Sequence, residues 1–235
     1  MKLSAQSLLE YTSYLYFLET IRETTGFSVT NGTLYIISAA SGAGKTTLVS
    51  AVLEQVADLE VSVSHTTRAP REGEVDGVNY HFVDKDTFEA MVENSEFIEN
   101  ATVFGNMYGT SRQHIQEQLL KGKDVILEID WQGARQIRQL ISDCKSVYIV
   151  PPSTAALRQR LTSRGQDDEG VISRRMREAI NEMSHYVEFD YLIINDDFDE
   201  ARDNLAAIIK GNRMLHQHQQ QKHADLLARL LGSAG

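Results

Sequence analysis

The chain has 235 residues, enough for one compact domain with small inserted subdomains, and its 42% hydrophobic and 24% charged residues are ordinary for a globular protein. A formal net charge of −10 excludes general nucleic-acid binding, which needs a cationic surface, so any phosphate chemistry must rest on local clusters of cations. The single cysteine, Cys144, excludes an internal disulfide framework, fits a reducing compartment and reads as an unreactive thiol.

In residues 1–30 a short apolar knot at 14–18 lies among Glu10, Glu19 and Glu23. It lacks the long apolar core of a signal peptide, and no run approaches the ~20 apolar residues of a membrane span. The expectation is therefore cytoplasmic, with no membrane partner. This extension is either an amphipathic helix packed on the body or a segment upstream of it. Asn31-Gly32 is a turn signal, and 34–37 reads as a strand. A small-residue loop follows, then a helix from near Gly44 with Leu48, Val49, Val52, Leu53 and Val56 on one stripe. Residues 61–64 alternate as a second strand. From 65 to 120 the character changes to short β-like pieces punctuated by Gly73, Gly77, Gly105 and Gly109, with no long helix before Ser111. Strands are expected at 124–129, 146–150 and 191–194, a basic helical segment at 153–186, and a helical tail from Phe198. Alternating strands and helices around a small-residue loop predict an α/β domain with a mainly parallel sheet flanked by helices. The organisation read from this is a 31–215 body with a core of 31–64, 121–152 and 187–215. Residues 65–120 form an insertion, 153–186 a helical lid, and 216–235 a Gln/His-rich tail.

The loop Ala40-Ser41-Gly42-Ala43-Gly44-Lys45-Thr46-Thr47 lies between the first strand and the first helix, the context of a Walker A phosphate loop. Gly42 and Gly44 let backbone amides close around phosphate oxygens, and the helix start adds its dipole. Lys45 is placed to reach the β- and γ-phosphates and the Thr46 hydroxyl to ligate Mg²⁺. Ala39 stands where the strict pattern has glycine. By itself this loop implies a nucleoside triphosphate and says nothing about the acceptor.

Arg68 and Arg71, three apart and followed by Tyr80, suit the capture of a phosphate monoester, although a bare Arg-x-x-Arg is equally a pair of solvated loop charges. The surrounding motifs narrow this. Ser64-His65-Thr66-Thr67-Arg68-Ala69-Pro70-Arg71, Gly73-Glu74-Val75-Asp76-Gly77-Val78-Asn79-Tyr80, Phe104-Gly105-Asn106-Met107-Tyr108-Gly109-Thr110, Glu128-Ile129-Asp130-Trp131-Gln132-Gly133-Ala134 and Asn195-Asp196-Asp197 follow the phosphate loop in order. In this the chain resembles the guanylate kinases, of bacterial type, over about 31–215. The resemblance implies a P-loop NTPase core with a small mixed α/β subdomain binding GMP at 65–120 and a lid at 153–186. It implies that Ser64, Arg68, Arg71, Tyr80 and Tyr108 hold the GMP phosphate, with Glu99, Gly109, Thr110 and Asp130 around the guanine. It adds Asn195 to the ATP-binding residues and Glu128, through water, to Thr46 at the metal. Guanine offers two adjacent donors, N1–H and the exocyclic amine, that one carboxylate can accept together, whereas adenine offers an acceptor at N1. Glu128 stands where the family commonly has Asp, and Met107 where an aromatic is frequent.

Six arginines, at 158, 160, 164, 174, 175 and 177, supply the local cation excess that an acidic chain needs. By resemblance Arg160, Arg164 and Arg175 are lid cations that meet the phosphates with Lys45 and Arg68, while Arg158, Arg174 and Arg177 read as surface pairs. The implied reaction transfers the γ-phosphoryl group of ATP to GMP. The attacking oxygen is already ionised, so alignment and charge neutralisation suffice without a general base, and His65 and His81 read as structural. The tail histidines His216, His218 and His223 read as solvated, with a two-ligand metal site as the rival. Two other readings stay open: a catalytically silent interaction module of the same fold, and a P-loop kinase for another phosphorylated acceptor. A homo-oligomer is compatible with the sequence.

Overall fold

A computed structural model describes residues 32–162 and 169–232. In chain order the first half runs β1 (Leu34–Ala39), α1 (Lys45–Gln55), β2 (Leu59–Val61), β3 (His65–Thr66), β4 (His81–Phe82), α2 (Lys85–Glu93), β5 (Phe97–Val103), β6 (Asn106–Ser111) and α3 (Arg112–Leu120). The second half runs β7 (Asp124–Glu128), α4 (Trp131–Leu140), β8 (Lys145–Val150), α5 (Thr154–Thr162), α6 (Glu169–Met183), a 3-10 segment (Ser184–Glu188), β9 (Tyr191–Ile194), α7 (Phe198–Arg213), α8 (His216–Lys222) and α9 (Ala224–Gly232).

Five strands form a parallel sheet in the order β2-β7-β1-β8-β9. Its central strand β1 is apolar on both faces, as a strand covered by helices on both sides must be. Tyr35 and Ile37 point to one face, where Leu48, Val49 and Val52 of α1 meet Leu205 and Ile209 of α7. Leu34 and Ile36 point to the other, against Ile115 and Leu119 of α3 and Ile137 of α4. Each such fully buried aliphatic contributes on the order of 1.5–3 kcal/mol, so the two-sided core is the main source of stability. Since β1 and β7 run parallel in register, Ile37 opposite Glu128, their C-terminal ends open at the same edge of the sheet. That edge is where ligands bind in open α/β sheets.

A second sheet of four strands, β4-β3-β6-β5, has mixed pairing: β3 with β4 parallel, β3 with β6 and β5 with β6 antiparallel. It stands between β2 and α3 in the chain. Ile98 of β5 joins the core face formed by α3 and α4, which fixes the small sheet against the large one. Gly109 of β6 has no side chain because Phe97 and Phe88 occupy the space: a β-carbon there would lie 2.8 Å from the Phe97 ring and 3.0 Å from that of Phe88.

The small sheet holds a helix that was not anticipated from sequence. Asp84 caps α2 by accepting from the Thr87 amide at 2.7 Å, and Phe88 is its single buried anchor. An Asp N-cap before a nine-residue helix with one buried residue leaves little apolar periodicity to read. The strand expected at 61–64 lies earlier, at Leu59–Val61, after which Ser62 bonds back to Ile126 and the chain leaves the large sheet. The basic segment at 153–186 divides into α5, α6 and the 3-10 segment, and Gly170 lies inside α6. The extension at 1–30 and the acidic stretch around Gly165 fall outside the described residues. Cys144 is buried, and burial pushes its thiol up to about 11, in keeping with an inert side chain.

Candidate active site

At the C-terminal end of β1 the chain turns through the phosphate-loop sequence. Gly42 and Gly44 adopt positive φ, 87° and 93°, a region open to glycine at little cost. Gly44 is also the N-cap of α1 and no side chain caps it, so the first amides of the helix are left for an anion. Lys45 opens the helix half-buried, and Thr46 and Thr47 are exposed beside it.

The loop is braced from behind. Asn195, just past β9, is buried and donates its side-chain amide to the Ala43 carbonyl at 2.8 Å. A β-carbon on Gly44 would sit 2.5 Å from that amide nitrogen, so the glycine is required by the brace as well as by its φ. Arg160 of α5 donates to the Ala43 carbonyl at 3.2 Å and to the Asn195 carbonyl at 2.9 Å. Ser38 ties the strand end to Ile129 at 2.6 Å. Ala40 packs against Leu157, Leu161 and Ala179, which joins α5 and α6 to the loop by apolar contact. Asn195 is thus placed as a support of the loop.

Two acidic residues meet the loop. Glu128, at the end of β7, accepts from the Thr46 hydroxyl at 2.9 Å. Glu182, near the end of α6, accepts from the Ser41 amide at 3.1 Å. Burial raises the Glu182 pKa, and the bond from the Ser41 amide, with a smaller part from the nearby Lys45, pulls it back. The role of Glu182 was not legible, because nothing local in an α-helical Asn-Glu-Met marks one glutamate as aimed at a loop 141 residues away. Just beyond it, the His185 ring stacks on Trp131 with centroids 3.6 Å apart and an interplanar angle of 6°. His185 and Arg135 share Glu188, each at 2.7 Å.

The second half of the site lies in the small sheet. Glu99 on β5 is only 3% exposed, and its Oε1 accepts a short hydrogen bond from the Thr110 hydroxyl on the paired strand β6. Thr110 in turn lies 3.3 Å from the Ser64 hydroxyl, making a buried Ser64-Thr110-Glu99 chain. Burial is the main reason that Glu99 is pushed up to about 7, with the Asp130 carboxylate adding to the rise and the Thr110 bond opposing it. Asp130 caps α4 by accepting from the Gly133 amide at 2.9 Å and also holds Gln132 at 3.0 Å.

Arg68 is half-buried and salt-bridged to Glu74 at 2.8 Å, with its guanidinium 5.3 Å from the centre of the Tyr80 ring. Tyr80 and Tyr108 stand edge to face, 5.9 Å between centroids. Glu74 also accepts from the Arg71 amide at 2.7 Å, while the Arg71 side chain is exposed. Glu74 therefore organises both arginines, a part the sequence did not assign to it. His65 and His81 pack ring to ring, 4.6 Å apart, in the β3–β4 pair. Arg175 lies half-buried on α6, and Arg164 falls outside the described residues. Arg174 pairs on the surface with Glu178 at 3.8 Å. Among the described residues no group of three or more His, Cys, Asp or Glu could hold a metal ion, the tail histidines included, and no helix is long and apolar enough to cross a membrane.

The family model for guanylate kinase matches residues 31–212. A guanylate kinase of Pseudomonas fluorescens is 60% identical over 201 residues, covering 86% of this chain and 98% of the relative. That of Saccharophagus degradans is 60% identical over 200 residues, covering 85% of this chain and 98% of the relative. The crystal structure of guanylate kinase from Anaplasma phagocytophilum aligns with a TM-score of 0.68 at 34% identity, over 80% of this chain and 89% of that one. A phosphate loop braced from both sides, a second sheet carrying a buried carboxylate beside two tyrosines, and these likenesses agree: the chain belongs to the guanylate kinase family, enzymes that are nucleoside monophosphate kinases.

Proposed function

We propose that this chain transfers the γ-phosphoryl group of ATP to GMP, and to dGMP, giving ADP and the corresponding diphosphate in cytoplasmic purine-nucleotide recycling. The observation that carries the choice of acceptor is the buried Ser64-Thr110-Glu99 chain. It holds a carboxylate with one oxygen engaged and acceptor capacity left for two adjacent base donors. A base presenting an acceptor there would leave that carboxylate unpaired, at roughly 1.5–3 kcal/mol per lost charged hydrogen bond.

In this reading Arg68, Arg71, Tyr80 and Tyr108 hold the acceptor phosphate. Glu74 keeps Arg68 folded over the Tyr80 ring until that phosphate arrives. ATP lies on the loop amides with Lys45 along its terminal phosphates, and Asn195 and Arg160 keep the loop from opening. Arg160, Arg164 and Arg175 belong to a lid at 153–186 that closes to exclude water. The acceptor phosphate oxygen attacks the γ-phosphorus as the bond to the bridging oxygen of ADP breaks; no side chain need remove a proton, since that oxygen is largely ionised at neutral pH.

Thr46 and Glu128 put a hydroxyl and a carboxylate oxygen side by side next to the triphosphate site, the hard-oxygen pairing that suits Mg²⁺ held mainly by phosphates and water. When bound there, Mg²⁺ neutralises charge on the transferring phosphates. ADP formation from ATP, measured with GMP, dGMP, AMP, IMP and UMP in turn, tests the reading. GMP and dGMP are expected to lead by at least about a hundredfold over AMP, and equal rates with AMP would overturn the guanine site.

A further inference from the structure

We infer that Gly133 is a specificity-determining position: its missing β-carbon is the space in which the second carboxylate oxygen of Glu99 sits. The inference rests on the reading of Glu99 as the guanine acceptor given above.

Gly133 is buried in the first turn of α4, three residues after the Asp130 cap. Its backbone is not in the left-handed region, so no local conformation calls for glycine there. Helix propensity alone favours alanine at such a position. What the position lacks is room. A β-carbon on Gly133 would lie 2.5 Å from Glu99 Oε2 and 3.2 Å from its carboxyl carbon, whereas the next nearest atom, the Ile129 β-carbon, is at an ordinary 3.4 Å. The glycine is therefore fitted to one side chain on another element.

That side chain cannot turn aside without loss. Its other oxygen is held by Thr110, which is itself tied to Ser64, and the whole chain is buried. A methyl group at 133 would push Oε2 away and rotate the carboxylate about its Thr110 anchor. A pair of base donors reads the direction of both lone-pair fans, so a rotated carboxylate accepts one donor well and the other poorly. The fold has little stake in this, because the atom that moves is the end of a side chain. Gly133 is thus a positioning residue acting through Glu99. It also links the two halves of the site, since α4 begins only three residues after Glu128, the partner of Thr46.

The test is a comparison of full-length Gly133→Ala, Glu99→Gln and the double variant Gly133→Ala/Glu99→Asp, by steady-state kinetics with GMP and IMP and by thermal unfolding. Gly133→Ala is expected to raise the KM for GMP about ten- to a hundredfold and shrink the preference for GMP over IMP. The KM for ATP and the melting temperature should stay at native values or, for the latter, rise. Shortening the carboxylate by one methylene in the double variant withdraws it from the new methyl group and is expected to recover at least about fivefold of the GMP preference, which a merely structural glycine would not allow. Unchanged GMP kinetics in Gly133→Ala, an equal loss toward both substrates, a collapse of the fold, or no recovery in the double variant would each overturn the inference. Glu99→Gln separates the two levels. If it leaves the GMP-over-IMP preference intact, the guanine reading itself falls; if it abolishes the preference while Gly133→Ala does not, only the role of Gly133 falls.

Discussion

The side-chain amide of Asn195 and the backbone carbonyl of Ala43 are 2.8 Å apart, and this bond joins the end of the last sheet strand to the middle of the phosphate loop. A residue expected to touch ATP thus holds the loop expected to cradle the ATP phosphates. Asn195→Ala should lower the stability of the nucleotide-free protein by about 0.5–1.5 kcal/mol, because the buried Ala43 carbonyl loses one of its two donors and keeps only Arg160. Saturating ATP is expected to recover part of that loss. Thermal unfolding with and without nucleotide measures both. A variant with native stability but weakened ATP binding would instead mark Asn195 as a direct ligand.

Lys45 heads α1, half-buried, directly after the phosphate loop. Lys45→Ala should reduce kcat by at least about a hundredfold, as removal of a preorganised charge from a transferring phosphate does. Its circular dichroism and melting temperature should stay native. Activity within a few-fold of native would overturn the loop assignment.

The Thr46–Glu128 pair predicts the metal dependence. Glu128→Gln keeps an acceptor for the Thr46 hydroxyl but removes the charge, so the Mg²⁺ concentration for half-maximal rate should rise about three- to tenfold. Glu128→Asp, the residue common in the family, should stay within about threefold of native, since water bridges absorb one methylene. Titration of activity against Mg²⁺ at fixed ATP distinguishes the two.

Glu99 gives a pH signature. Its carboxyl is raised by burial to about 7, and a raised acid makes the folded state hold the proton more tightly than the unfolded chain. Folding stability from this group is therefore greatest below the ordinary carboxyl range and declines as pH rises toward 7. Glu99→Gln should accordingly gain about 1–3 kcal/mol at pH 8 and much less at pH 5. Guanine donors need the ionised form, so the KM for GMP should fall as pH rises from 6 to 8 in the native chain. In Glu99→Gln only the phosphate titration of GMP itself remains. Equal pH profiles for the two proteins would remove Glu99 from the binding step.

The parallel sheet was legible because β1, β7 and β8 are buried on both faces, so their sequences are unbroken apolar runs between turn signals. The phosphate loop was legible because its chemistry is local: two glycines, a lysine and a hydroxyl in one turn. The small sheet was harder. Strands of two residues, β3 and β4, have no period to read, and α2 shows a single buried side chain. The residues that sequence missed share one property: each acts by accepting hydrogen bonds that only the folded chain sets up. Glu182 reaches Ser41 from another helix, and Glu74 serves both Arg68 and the Arg71 amide. A glutamate that braces a loop and a glutamate that faces solvent look alike until the chain is folded.

The anchoring of α6 has a mechanical consequence. Its C-terminal end is fastened to the phosphate loop at Ser41 by Glu182 and then to the first turn of α4 by the stacked rings of His185 and Trp131. The same helix is also held by apolar contact, Ala179 clustering with Leu157 and Leu161 of α5, so its C-terminal end and the loop form one packed unit. Arg175 stands seven residues from Glu182, about 10 Å along the axis. Any displacement of the loop at Ser41 is therefore passed directly to the C-terminal end of the helix that carries Arg175.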